Sequence, residues 1–108
     1  MSRPTSDFVG RIVRELERKR GSLTASEAAK LVHRSESHMR HVFTRSAGIP
    51  FRRARLQARL ELARNLLAHT RMTIPNISKR LRYSDRSKFE RAFKKVFGIT
   101  PAQYRRQH

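Results

Sequence analysis

Met39-Arg-His-Val-Phe43-Thr-Arg-Ser-Ala-Gly48-Ile49 returns fifty residues later as Phe89-Glu-Arg-Ala-Phe93-Lys-Lys-Val-Phe-Gly98-Ile99. In each copy the apolar side chains fall at helical spacing, at 39, 42 and 43 and again at 89, 92 and 93, and a glycine ends the run. Each is preceded by a shorter helical segment opening on a threonine, Thr24 in the first and Thr73 in the second. The repeat therefore predicts a short helix, a tight turn and a second helix, made twice. No stretch alternates apolar and polar side chains as a strand would. The fold expected is all-α.

Working outward, Ser6 or Asp7 is placed to cap a first helix with Phe8, Val9, Ile12, Val13 and Leu16 on one face, ended by Gly21. Thr24-Ala-Ser-Glu27 is a capping-box pattern opening Ala25 to Val32. Ser35 caps Glu36 to Ala47, and Gly48 and Pro50 stop that helix. The longest helix, about Phe51 to His69, carries Leu56, Leu60, Ala63 and Leu67 in a stripe, with Arg52, Arg53, Arg55, Arg59 and Arg64 interleaved. Thr73 then opens a helix to Leu81. Asp85 to Phe97 forms the second copy of the repeat, and Thr100-Pro101 starts a last helix ending near Arg106. About seven helices result, in three parts. Residues 1–50 hold the first helix and first helix-turn-helix unit, 51–70 a linker helix, and 71–108 the second unit with the terminal helix.

The chain's 108 residues carry 26 Lys+Arg against 8 Asp+Glu, a formal net charge of +18. Such an excess repels itself and favours a polyanionic partner. Its spread along the whole chain points to a folded basic surface rather than a basic tail. With no cysteine, disulfides and thiolate metal sites are excluded. His38 and His41 lie three apart on a helix, but no cysteine or carboxylate cluster joins them, so no metal and no cofactor is expected. No apolar run approaches the roughly 20 residues of a membrane span, and the N-terminus lacks a secretory stretch.

Helical geometry separates core from contact positions. With Met39, Val42 and Phe43 inward, Ser37, Arg40, His41 and Thr44 face outward. With Phe89, Ala92, Phe93 and Val96 inward, Ser87, Glu90, Arg91 and Lys94 face outward, flanked by Arg86 and Lys88. In a helix-turn-helix the second helix enters the major groove, its N-terminal residues meeting base edges. Arg40, Arg86 and Arg91 are the candidates for bidentate bonds to guanine, and Ser37, His41 and Ser87 are adaptable readers. Thr44, Arg45, Lys88, Lys94 and Lys95 are phosphate-contacting candidates. Glu90 is better placed to pair with Arg86 or Lys94 than to read cytosine. A linker helix of about nineteen residues spans about 28 Å, near the roughly 34 Å between major-groove faces on one side of a duplex.

Tyr83, Asp85, Ser87, Phe89, Arg91, Phe93, Lys94, Lys95, Gly98, Thr100, Pro101, Tyr104 and Arg105 together resemble the C-terminal signature of the AraC/XylS family of bacterial transcription regulators. Arg59, Leu60, Ala63, Leu66 and Leu67 resemble its linker helix, and Ser35, Met39, Phe43 and Gly48 its first unit. The resemblance covers about residues 8–106. It implies a regulator in the bacterial cytoplasm, at the nucleoid, bound to double-stranded promoter DNA as a monomer unless it is part of a longer chain. It also implies RNA polymerase as a second partner, since most members activate and a minority repress. The chain is similar to the small stand-alone members of the MarA/SoxS type, or to a fragment of a longer regulator. It departs from the pattern where each unit should have a turn glycine, at His33 and Arg82, and at Ala54, where an aromatic residue is usual.

The alternatives are a non-specific architectural or RNA-binding basic protein and a membrane-active amphipathic module built on residues 51–69. Most of the phenylalanines fall at core positions, leaving no stacking platform for single strands. The leucine stripe is better explained by packing than by membrane contact. No nucleophile–base arrangement or glycine-rich phosphate loop favours an enzyme.

Overall fold

The computed structural model describes residues 4–108, with side chains from Phe8 onward. Among these residues there are seven helices and no strand: α1 Pro4–Arg18, α2 Ala25–Leu31, α3 Glu36–Ala47, α4 Phe51–His69, α5 Ile74–Arg80, α6 Arg86–Phe97 and α7 Pro101–Gln107. The caps act where the sequence places them. The hydroxyls of Thr24, Ser35, Thr73 and Thr100 each accept from the backbone amide three residues on, and Asp85, expected as the first residue of its helix, instead caps α6 by accepting from the Lys88 amide. Around α2, the Thr24 amide and hydroxyl, aided by Lys19, hold the Glu27 carboxyl below its usual pKa range. The start of α1 differs too. The backbone is already helical at Pro4, ahead of Ser6 and Asp7, and proline suits a first turn whose amide would lack a partner anyway.

The chain divides into two compact units, residues 1–58 and 59–108, with the boundary inside α4. In the first unit, Ile12 and Leu16 of α1, Leu23 just ahead of α2, Ala28 and Ala29 of α2, Val32, and Met39 and Phe43 of α3 bury against Phe51. Phe43 and Phe51 meet edge to face, with ring centroids 5.7 Å apart. Ala54, small where an aromatic is usual, packs at the margin of this core. In the second unit the core is Leu60, Ala63, Leu67, Ile77, Leu81, Phe89, Phe93 and Pro101, with Ser78 buried beside them. Leu56, placed by the sequence in one stripe with Leu60, Ala63 and Leu67, is only half-buried.

The turns resolve the missing glycines. His33 and Arg82 take φ of 57° and 64°, the left-handed conformation that glycine would have supplied. Each closes the same double-bonded helix end. The His33 amide donates to the Lys30 carbonyl and the Arg34 amide to Ala29; Arg82 donates to Lys79 and Tyr83 to Ser78. These bonds hold the turn geometry against a left-handed backbone that costs a non-glycine residue about 1–2 kcal/mol. Arg82→Gly should therefore stabilise the protein. The gain expected in chemical denaturation is about 0.5–1 kcal/mol, because glycine's greater freedom in the unfolded chain offsets part of the relief.

The duplication reaches further than the sequence repeat. Arg55 donates through Nε to the Gly21 carbonyl (3.1 Å), just past the end of α1. Fifty residues on, Arg105 donates to the carbonyls of Leu67 (3.2 Å) and Thr70 (3.3 Å) at the end of α4. Likewise Arg11 donates to Leu31 at the end of α2 (2.9 Å), and Arg59 to the carbonyl of Leu81, just past the end of α5. Helix C-termini leave carbonyls without intrahelical partners and carry partial negative charge, so a guanidinium is a favourable partner there. Each unit is thus four helical segments, with the start of α4 closing the first unit as α7 closes the second.

Tyr83 is half-buried, and its Oη is the one buried side-chain polar atom among the described residues without a hydrogen-bond partner. Its ring packs on Phe89 (5.6 Å between centroids), and the Arg59 guanidinium lies 5.0 Å from the ring centre. Burial raises the phenol pKa against the opposing pull of the Arg59 charge. The neutral form is therefore favoured by the fold, and stability should fall once pH climbs past about 10, where the unfolded phenol ionises. Tyr83→Phe keeps the ring and removes the orphaned hydroxyl. Thermal and urea unfolding should show a gain of about 1 kcal/mol; a loss of that size would mean the hydroxyl has a partner.

Candidate nucleic-acid interface

Helices α3 and α6 each bury one face, through Met39 and Phe43 and through Phe89 and Phe93. That burial fixes which side chains are left outside. Ser37, Arg40, His41, Thr44 and Arg45 on α3 are all exposed, as are Arg86, Ser87, Lys88, Arg91, Lys94 and Lys95 on α6. Equivalent places on the two helices carry different chemistry: Arg40 corresponds to Glu90, His41 to Arg91 and Thr44 to Lys94.

Three of these side chains are already engaged within their own helices. Glu90 pairs with Arg86 one turn earlier, through Arg86 Nε. The Thr44 hydroxyl donates to the Arg40 carbonyl at 2.9 Å, so its proton reaches a phosphate only if the hydroxyl rotates. In the second unit every acidic side chain has a partner: Glu61 meets Arg64, Asp85 caps α6, and Glu90 holds Arg86. No lone carboxylate on α6 opposes an approaching polyanion.

Not every arginine is free for a partner. Arg55, Arg59 and Arg105 are partly buried on helix-end carbonyls. Arg64 lies over the Phe97 ring at 4.8 Å. Sequence spacing alone left Arg55 and Arg59 among the interleaved basic residues. The available signal was the fifty-residue offset of Arg55 from Arg105, the same offset that relates Phe43 to Phe93. No helix among the described residues is long and apolar enough to cross a membrane.

A family model described as a helix-turn-helix domain matches residues 28–107. The fold is similar to the crystal structure of a transcriptional regulator with an AraC-type DNA-binding domain from Chromobacterium violaceum. The TM-score is 0.86 at 25% identity, covering 94% of this chain and 92% of that one. The chain belongs to the AraC-type family of helix-turn-helix DNA-binding domains. Among curated relatives, an uncharacterised helix-turn-helix transcriptional regulator of Bacillus subtilis is 35% identical over 79% of this chain. The Msm operon regulatory protein of Streptococcus mutans is 28% identical over 95% of it. The chain spans only 11% and 37% of the lengths of these two relatives.

Proposed function

We propose that this AraC-type domain binds duplex promoter DNA sequence-specifically as a single polypeptide, with α3 and α6 entering adjacent major-groove segments. The observation that carries the reading is the pair of equivalent helices whose buried faces match while their exposed faces differ in charge and donor pattern. A scaffold used twice with two different faces suits an asymmetric site. Arg40, Arg86 and Arg91 then supply guanine contacts, Ser37, His41 and Ser87 adaptable ones, and Thr44, Arg45, Lys88, Lys94 and Lys95 the phosphate contacts. By the family resemblance the regulatory outcome is activation with RNA polymerase, in the bacterial cytoplasm.

Selection of bound duplexes from a random library, followed by footprinting, tests the reading. One enriched asymmetric sequence protected over two neighbouring major grooves on one face is expected. Uniform binding to every duplex, or equal competition by RNA of the same charge, would instead favour a non-specific architectural or RNA-binding protein. Transcription from a promoter carrying the selected site, with and without the protein, reads the sign of regulation.

A further inference from the structure

The Arg86–Glu90 pair lies on the exposed surface of α6, yet a solvated surface pair by itself contributes little to stability. Its geometry is more informative than its energy. Arg86 is the first residue of α6 and stands on the flank of the outward face, while Glu90 lies one turn further along and nearer the centre of that face. The hydrogen bond uses Arg86 Nε. The two terminal nitrogens, whose donors match guanine O6 and N7, make no hydrogen bond among the described residues. The Arg86 side chain is 54% exposed and the Glu90 side chain 35%, so the cation is the more accessible of the two to an approaching phosphate.

We infer that Glu90 is a positioning residue for base recognition, turning Arg86 from the flank onto the contact face with its terminal edge outward. This rests on the proposed reading of DNA by α6. An unheld arginine loses several side-chain rotations when it binds, and a carboxylate that has already fixed the guanidinium plane reduces that cost. The first unit differs at the same two places. Glu36 stands where Arg86 does and Arg40 where Glu90 does, and no ion pair joins Glu36 to Arg40 among the described residues. The second unit thus pairs its N-terminal arginine with a carboxylate, and the first leaves its own arginine, one turn further along, without an ion pair among the described residues. The stricter base preference belongs to the α6 half of the site.

The experiment compares wild type, Arg86→Ala, Glu90→Ala and Glu90→Gln on the selected duplex and on duplexes changed one base pair at a time. Wild type should prefer guanine at one position in the α6 half by about tenfold or more, and Arg86→Ala should abolish that preference. Glu90→Ala should reduce it to about threefold while binding unrelated duplexes about threefold more tightly, because a negative charge has left the interface. Glu90→Gln keeps an oxygen acceptor for Arg86 Nε and should retain most of the preference, a rescue that a merely electrostatic role does not give. The inference is overturned if Glu90→Ala keeps the full preference, if it weakens all duplexes equally, or if Arg86→Ala leaves every preference intact. A wild-type protein that prefers no duplex at all would instead overturn the DNA-reading proposal itself.

Discussion

Phe93→Ala is expected to destabilise the second unit by about 3–5 kcal/mol, the range for truncating a phenylalanine in a packed core. Phe93 is fully buried and is the hub of that core. Its ring meets Phe89 at 6.0 Å, Phe97 at 4.7 Å and Tyr104 at 5.9 Å between centroids, and aromatic pairs of this kind add to the area they bury. A small domain has about 5–15 kcal/mol of stability in total, so the variant should sit near its unfolding threshold. Urea denaturation followed by circular dichroism measures the loss. A cost under about 1.5 kcal/mol would mean that the neighbouring rings close over the void.

Replacing Lys88, Lys94 and Lys95 together by alanine is expected to weaken binding to every duplex alike and to flatten its salt dependence. The three side chains are exposed on α6 and make no ion pair among the described residues. If each neutralises one phosphate, the logarithmic salt slope falls by about 0.9 per lysine, or about 3 in all. Over a fourfold rise in salt, each such contact is worth about 3.5-fold in affinity, so the triple variant should be about 40-fold less salt-sensitive across that interval. Fluorescence anisotropy on selected and scrambled duplexes at 50 and 200 mM salt measures it. An unchanged slope would remove these lysines from the interface, and a loss confined to the selected duplex would make them base readers.

Much of this architecture is legible in the sequence because the signals are local. A threonine, serine or aspartate three residues ahead of a backbone amide caps a helix wherever that helix ends up. The 3.6-residue period that buries Met39 with Phe43 and Phe89 with Phe93 also decides that Arg40 and Arg91 face out. Glu90 and Arg86 are four apart on one helix, so their pairing is also a local matter. Less was legible at the turns. The left-handed backbone at His33 and Arg82 contradicts residue preference, and it is held by amides bonding back to carbonyls of the preceding helix. Pro4 beat Ser6 and Asp7 to the start of α1, where several residues near the terminus compete with similar preferences.

What the sequence determined by itself is the set of helices, their caps and the faces they bury, since each depends on neighbours within about four positions. What only the tertiary structure decided is which of many arginines are free. Arg40 and Arg91 remain exposed, while Arg55, Arg59 and Arg105 close the ends of helices between 22 and 38 residues away in the chain. A guanidinium serves a phosphate, a base or an orphaned carbonyl with the same donors. Only folding brings one of these partners within reach and leaves the others out.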